Sequence, residues 1–463
     1  MLHGFRPHLS RLVNDYGMLA VLLLMCLYYS WATWRVRYPV GRDAARRVAE
    51  EIVDRQSEKA EVLVVAGTAK TERQFSDTLA TLLGEQGFRI VGKINDSPPK
   101  VAAAVRKLVE RGTHIDAVAG TKNYRRVLER QKKTLPALAD TQFAVPESYQ
   151  WPTFLTARNL LNVANQIVVI AVIAIGMTMV IITAGIDLSV GSLVALSAVV
   201  VAKLIVLSGA QQATNLELFW CSVAAVAMCA AVGAFSGLMI TAFRIPPFIA
   251  TLGMMQIASG LAFIIARGHS IYQLPDAFTW LGRGADLVLP IPVPLEIVWI
   301  AVPNAVVLMI ALYVAAHFVM AKTSLGRYIY AVGGNRQAAR LSGIRTGRIL
   351  LIAYVISGAV AGLGGVIVAS QLKAGAPTYG IMYELYVIAA VVVGGTSLAG
   401  GEGKIFGTLI GAFIIAVIRN GMNLTDVQPY TQKVVLGAVI LGAVLLDMLK
   451  RQGWRLPTRL RLS

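Results

Sequence analysis

Residues 174–197 read AIGMTMVIITAGIDLSVGSLVALS. Two apolar segments flank one short polar turn, Ala184 to Ser192. An apolar helix of about 20 residues is long enough to cross a bilayer. A carboxylate at membrane depth costs about 2.5–3.5 kcal/mol on insertion scales, so Asp187 must earn its place there. Gly185 and Gly191 permit a sharp reversal. Asp187, Ser189 and Ser192 are residues that cap a following helix. Two readings of Asp187 stand at this point: a cap in a broken-helix turn, or a group that meets a cargo.

Outward from this turn the same apolar pattern recurs. Ten candidate spans lie near residues 17–34, 165–184, 188–208, 218–241, 247–267, 297–320, 350–371, 385–398, 404–423 and 431–449. The span at 385–398 is short and ends in Gly394-Gly395, which predicts a broken or tilted helix. The first span ends in Tyr28, Tyr29, Trp31 and Trp34 with no small-residue cleavage site. Interfacial aromatics of that kind mark a retained helix. The expected fold is an all-α polytopic membrane bundle of about ten transmembrane helices.

Composition adds a second part. The chain has 463 residues, 56% hydrophobic and 15% charged, with a net charge of +18. Of its 25 acidic residues, 15 fall between Arg35 and Gln150. That concentration marks a soluble island. The basic excess sits in loops between apolar segments, as membrane topology requires, and no basic stripe with interleaved aromatics points to nucleic acid. Cys26, Cys221 and Cys229 lie in apolar segments, and the five histidines lack metal-ligand spacing. Neither a disulfide framework, a metal site nor a cofactor is expected.

Orientation follows from the short loops. Lys322, Arg327, Arg336, Arg340, Arg345 and Arg348 occupy a loop without acids, and the C-terminal tail is also basic. Both are expected in the cytoplasm. With ten spans, both termini are then inside and the island is outside. Arg35, Arg37, Arg42, Arg46 and Arg47 favour the opposite placement, but long loops translocate largely regardless of charge. The expected organisation is a tail and first helix at 1–34, an extracytoplasmic α/β insertion at 35–150, a transmembrane bundle at 151–449 and a basic cytoplasmic tail at 450–463.

Within the island, Glu61 to Ala66 reads as a buried strand, residues 71–85 as a helix stopped by Gly87, and residues 88–91 as a second strand. A helix at 99–111, a strand at 115–119 and a helix at 123–132 follow. Alternation of this kind implies a small parallel sheet. Gly67 to Lys70 lacks a phosphate-loop spacing, so no nucleotide site is expected. The segment resembles half of an extracytoplasmic sugar-binding protein. Ligand binding and simple docking are both open to a single lobe.

Two glycine-rich stretches remain. Residues 394–404 (GGTSLAGGEGK) imitate a phosphate loop, but Leu398 and Ile405 stand where that pattern needs Gly and Ser or Thr. The chain therefore reads as a non-enzymatic subunit. The stretch also parallels the Asp187 turn, Asp187-Leu-Ser-Val-Gly191 against Ser397-Leu-Ala-Gly-Gly401, which hints at an internal repeat. The second stretch, Gly333, Gly334, Asn335, Arg336, Gln337, Ala338, Ala339, Arg340 and on to Gly343, can hold one or two helical turns in the basic loop. It reads as a connector or as a helix that docks into a partner.

The chain from about Trp151 to Lys450 resembles the permease subunits of ribose/xylose/galactose-type ABC importers. The matching stretches are AIGMTMVIITAGIDLSVGSLVALS, PPFIATLGMM, TSLGRYIYAVGGNRQAARLSGI and VVVGGTSLAGGEGKIFGTLIGAFI, in the family's order. The resemblance implies an inner-membrane homodimer of permeases, a cytoplasmic ABC ATPase subunit that docks on residues 333–343, and an extracytoplasmic sugar-binding protein. Three departures stand out: Gln337 replaces an acid, Tyr386 replaces an Asp, and residues 35–150 are not part of the usual permease. Alternating access would carry a monosaccharide past hydroxyl-pairing groups, for which Asp187, Ser189, Thr251, Gln256, Glu384 and Asn423 are the substrate-path candidates. Rival readings are a permease for branched-chain amino acids or another small solute, a membrane sensor using the insertion as detector, and an ion-coupled transporter, which the scarcity of acids in the spans disfavours.

Overall fold

Helix α1 (Arg6–Ala32) opens the chain. The computed structural model describes residues 6–39, 41–56, 60–293 and 296–451. The expected basic tail therefore lies, from residue 452 on, outside the described residues. The chain divides into two units: Met1–Thr33 with Thr153–Ser463, and Trp34–Pro152.

The second unit begins and ends with a strand pair. Strand β1 (Trp34–Arg37) runs antiparallel to β6 (Tyr149–Pro152), with Trp34 opposite Pro152. Between them stand α2 (Gly41–Arg55), β2 (Glu61–Ala66), α3 (Lys70–Glu85), β3 (Arg89–Asn95), α4 (Pro98–Glu110), β4 (Ala117–Gly120), α5 (Arg125–Thr134) and β5 (Gln142–Ala144). The four central strands form a parallel sheet in the order β3-β2-β4-β5. Strand periodicity sends the side chains of β2 to opposite faces. Val62 and Val64 pack with Phe75 and Leu79 of α3 and with Val48 and Ile52 of α2. Leu63 and Val65 pack with Val101 and Val105 of α4 and Leu128 of α5. Helix α2 escapes sequence reading because half of its buried stripe is alanine, Ala44, Ala45 and Ala49, in a highly charged segment.

The remaining helices belong to the first unit. They are α6 (Ala157–Ile182), α7 (Val190–Leu207), α8 (Asn215–Ala242), α9 (Pro247–Ala266), α10 (Trp280–Arg283), α11 (Asn304–Lys322), α12 (Ser324–Gly334), α13 (Arg336–Leu341), α14 (Thr346–Leu372), α15 (Tyr383–Val393), α16 (Ile405–Leu424) and α17 (Pro429–Arg451). Seven of them are long and apolar enough to cross a membrane, and three shorter apolar helices lie at 17–32, 383–393 and 429–445. Helix α6 is apolar on all sides and is the most enclosed of the seven, as expected for the centre of a bundle.

One expected span is corrected. Residues 297–302 are not helical: β7 (Leu287–Val293) and β8 (Glu296–Val302) form an antiparallel hairpin, and α11 starts only after Pro303. Proline pre-sets the first turn of a helix, so Pro303 is where the change of structure falls. The short span at 385–398 is explained by its approach. Residues 373–382 run non-helically beside α7: a Cβ at Gly375 would stand 2.4 Å from the Ala198 carbonyl oxygen, and one at Gly380 would stand 2.2 Å from that of Gly191. Helix α15 thus starts level with the first turn of α7.

Polar and small residues knit the helices, as they must where lipid offers no hydrophobic drive. Asn159 of α6 and Asn420 of α16 exchange two 2.9 Å amide bonds. Ser197 of α7 donates to the Gly362 carbonyl at 2.6 Å, and Tyr313 of α11 to that of Ala171 at 2.8 Å. Tyr29 of α1 lies on Gly421 of α16, where a Cβ would come within 2.3 Å of the ring. A close crossing joins α8 and α14. A Cβ at Gly233 would stand 2.2 Å from the Tyr354 carbonyl oxygen, and one at Gly358 would stand 2.3 Å from that of Cys229. By contrast, a Cβ at Gly253 of α9 meets nothing within 4 Å. Overfilling a packed contact costs about 1–3 kcal/mol or more. Gly358→Leu is therefore expected to lower the thermal midpoint in detergent by roughly 5 °C or more. Gly442→Leu, on α17 where a Cβ likewise meets nothing within 4 Å, should change it little by the same measurement.

Candidate functional site

The turn between α6 and α7 is built from its backbone outward. Beyond the last residue of α6, Ala184 has a φ of 61°, and the Gly185 N–H closes the helix end on the Val180 carbonyl at 3.1 Å. The Asp187 side chain then fastens the turn. Its Oδ1 accepts the Ser189 N–H at 3.0 Å and the Ser189 hydroxyl at 2.6 Å. Its Oδ2 accepts the Ser357 hydroxyl of α14 at 2.8 Å. Asp187 and Ser189 are each 1% exposed, so this carboxylate is enclosed and shared among three protein donors. Such pairing is what makes a buried acid tolerable. The expected helix cap is not formed, since no side chain caps α7; Asp187 instead holds the turn before that helix and ties it across to α14.

Thr251 joins the same turn from α9. It is fully buried, and its hydroxyl donates to the Pro247 carbonyl at 2.9 Å and lies 3.3 Å from that of Ile186. Tyr354 of α14 approaches the Ile186 carbonyl from the other side at 3.4 Å. Asp187, Ser189 and Thr251, spread over 65 residues of sequence, are therefore brought together. Sequence reading missed Tyr354 and Ser357. Their only signal is a polar pair at helical spacing, three apart, inside an apolar span.

A second turn, residues 394–404, separates α15 from α16 and meets the first. The Gly401 N–H donates to the Ile182 carbonyl at 2.8 Å. Gly333, at the end of α12, fills the angle between them: a Cβ there would stand 1.7 Å from the Ile182 oxygen and 2.6 Å from the Gly401 nitrogen. Tyr330 of α12 donates to the Gly403 carbonyl at 2.7 Å. Gly400 and Gly401 adopt φ of 86° and 77°, a region that favours glycine. The two segments with parallel sequences thus lie in contact, with α12 wedged onto both.

From that wedge the chain runs straight into α13. The Asn335 side chain accepts the Ala338 N–H at 2.9 Å and caps the short helix. Gly343, at a φ of 84°, ends it with its N–H on the Arg340 carbonyl. Ala339 is buried, while Arg336, Gln337, Ala338, Arg340 and Leu341 face outward, Leu341 being 90% exposed. A basic helix with a fully presented leucine is a knob without a hole of its own.

The other path candidates are dispersed. Glu384 is half-buried at the start of α15, against Gly191, where a Cβ would come 2.4 Å from its Oε2. Gln256 is exposed on α9. Asn423 lies at the far end of α16 and accepts the Gln432 side-chain amide at 2.8 Å.

Comparison with known proteins agrees with this architecture. A family model described as the branched-chain amino acid transport system / permease component matches residues 159–444. The chain is 41% identical over 338 residues to the ribose import permease protein RbsC of Escherichia coli (strain K12), covering 72% of this chain and 98% of that one. It is 38% identical over 296 residues to the D-allose transport system permease protein AlsC of the same organism, covering 64% and 85%. It is 33% identical over 354 residues to the xylose transport system permease protein XylH, covering 65% and 88%. No solved structure matches. With nearly the whole length of a ribose permease matched, the chain belongs to the family of transport-system permease components that includes these three proteins.

Proposed function

We propose that the chain is the membrane-spanning subunit of an inner-membrane ABC importer for a monosaccharide, driven by ATPase subunits that dock on α13. The observation that carries the cargo class is the match to ribose, allose and xylose permeases over most of their lengths. The observation that supports the docking is α13 itself, which leaves the bundle between two glycines and presents Arg336, Arg340 and Leu341 outward. The chain supplies the path, and hydrolysis belongs to the partner.

The seven long helices and three shorter apolar ones make ten crossings in this reading. Both termini and the basic loop at 322–348 are then cytoplasmic, and the unit from Trp34 to Pro152 is the extracytoplasmic insertion. A binding protein delivers cargo on that side, and two copies of the chain enclose the path. Gln256 supports the pairing: it stands on an exposed helix face with Gly253 and Gly260, where a second helix can approach closely. Asp187, Ser189 and Thr251 hold the wall of the path, while Gln256, Glu384 and Asn423 present the hydroxyl-pairing groups.

Reconstitution with the ATPase subunits and binding protein tests the function. ATP-dependent uptake of labelled ribose, xylose or allose into proteoliposomes is expected, with no competition from excess leucine. Uptake of leucine but of no sugar would replace the cargo class, since the family description names amino acids. The docking surface has its own test. Reversing two charges, Arg336→Glu with Arg340→Glu, should cut co-purification of the ATPase at least tenfold while the permease keeps its thermal midpoint. Undiminished co-purification would remove α13 from the interface.

A further inference from the structure

The unit from Trp34 to Pro152 carries a feature that the transport reading leaves unused. Strand β2 passes to β3 on one side through α3, and the chain then crosses over to β4 on the other side through α4. Ligands of parallel α/β sheets settle at the carboxyl ends of the strands where the winding reverses. At that edge, between β2 and β4, lies a crevice of about 330 Å³. Its lining includes Thr68, Glu72, Asp96, Ser97, Asn123 and Tyr124, from the loops after β2, β3 and β4. Small-molecule pockets begin at about 300 Å³.

The three loops are held in place by their own side chains. Glu72 accepts the Gly67 N–H at 3.0 Å, the Thr121 hydroxyl at 2.6 Å and the Asn123 amide at 2.9 Å, so it ties the β2 loop to the β4 loop. The Tyr124 hydroxyl donates to the Asp96 carbonyl and ties the β4 loop to the β3 loop. Burial, with the Glu72 and Asp96 charges adding, pushes the Tyr124 phenol up, so it stays a donor. The Ser97 N–H holds the Asp96 carboxyl below its ordinary range, so it stays an acceptor. A crevice whose walls are fixed in advance loses less entropy on binding.

The free groups define the ligand's chemistry. Thr68 keeps a hydroxyl without a partner among the described residues, and Asn123 keeps its amide oxygen, while the Ser97 side chain bonds the Asp96 carboxyl. Two carboxylates line the crevice, and no lysine or arginine does, which disfavours phosphates and other anions. No group of three metal-binding side chains occurs among the described residues. We propose that this crevice binds a small, uncharged polyhydroxyl ligand, with Thr68 and Asn123 in contact and Glu72 as a positioning residue. The proposal rests on the importer reading only for the choice of aldoses as probes.

Equilibrium binding to the full chain in nanodiscs tests it, with labelled D-ribose, D-xylose and D-allose as probes and inorganic phosphate as the anionic control. At least one aldose should bind. Asn123→Leu and, separately, Thr68→Val should each weaken that binding at least tenfold. The Thr68 hydroxyl has no hydrogen-bond partner among the described residues, so its variant leaves the loop ties intact. Arg106→Ala, exposed on α4, should bind as the parent does. Absence of aldose binding, binding unchanged in both variants, or a preference for phosphate would overturn the proposal. Uptake by the reconstituted importer is read separately: uptake without crevice-dependent binding sinks the crevice alone, and crevice-dependent binding without uptake sinks the importer alone.

Discussion

The last carbonyls of a helix have no partner within it, so a helix end enclosed by protein needs donors from elsewhere in the chain. Here that donor is the Gly401 N–H, which meets the Ile182 carbonyl at the end of α6. The rest of the bundle follows from this one bond. It brings the turn after α15 onto the turn after α6, and it needs glycine at 333, 400 and 401 because backbones converge there. It also joins α12, and through it α13, to both turns. The Asp187 carboxylate performs the matching task on the far side of the first turn, tying it to Ser357 of α14. Helix α13 is thus connected through α12 to both turns, and through the first of them to α14.

Much of this was legible in the sequence because it is local. Apolar length marked the spans, and the glycines around Asp187 marked a break. Glycines at 394, 395, 400 and 401 marked another, and the strands and helices of the residue 61–134 region announced themselves by alternation. What stayed hidden is what depends on pairing over distance. Ser357 stands 170 residues from Asp187, and nothing in its own surroundings distinguishes it from other interhelical serines. The contact of the two turns is made by backbone groups and so leaves only glycine as its trace. Helix α2 hid behind a stripe that is half alanine. The strand at 296–302 hid because an apolar run of that length fits either structure until Pro303 is weighed.

The six path candidates divide along the same line. Asp187, Ser189 and Thr251 converge because each serves the turn, which is a structural demand that sequence can signal. Glu384, Gln256 and Asn423 share no such demand and lie apart. Polar residues in a membrane helix are as often interhelical ties as pathway groups, and only the ties reveal themselves by their partners within one chain. The unit between Trp34 and Pro152 has a different logic. Its first and last strands pair with each other, so its ends lie together and it interrupts the chain without lengthening the connection it replaces.

If α13 receives the ATPase as proposed, the wedge at Gly333 couples it to both turns. The most direct measurement is the number of ATP molecules hydrolysed per sugar imported by the reconstituted complex, compared between the parent chain and Gly333→Ala. A methyl group at that position cannot coexist with the Ile182 carbonyl where it now stands. The account predicts that the ATPase still binds and still hydrolyses ATP, while the ratio rises at least tenfold because hydrolysis no longer moves the turns. An unchanged ratio, with uptake and hydrolysis at parent levels, would contradict it.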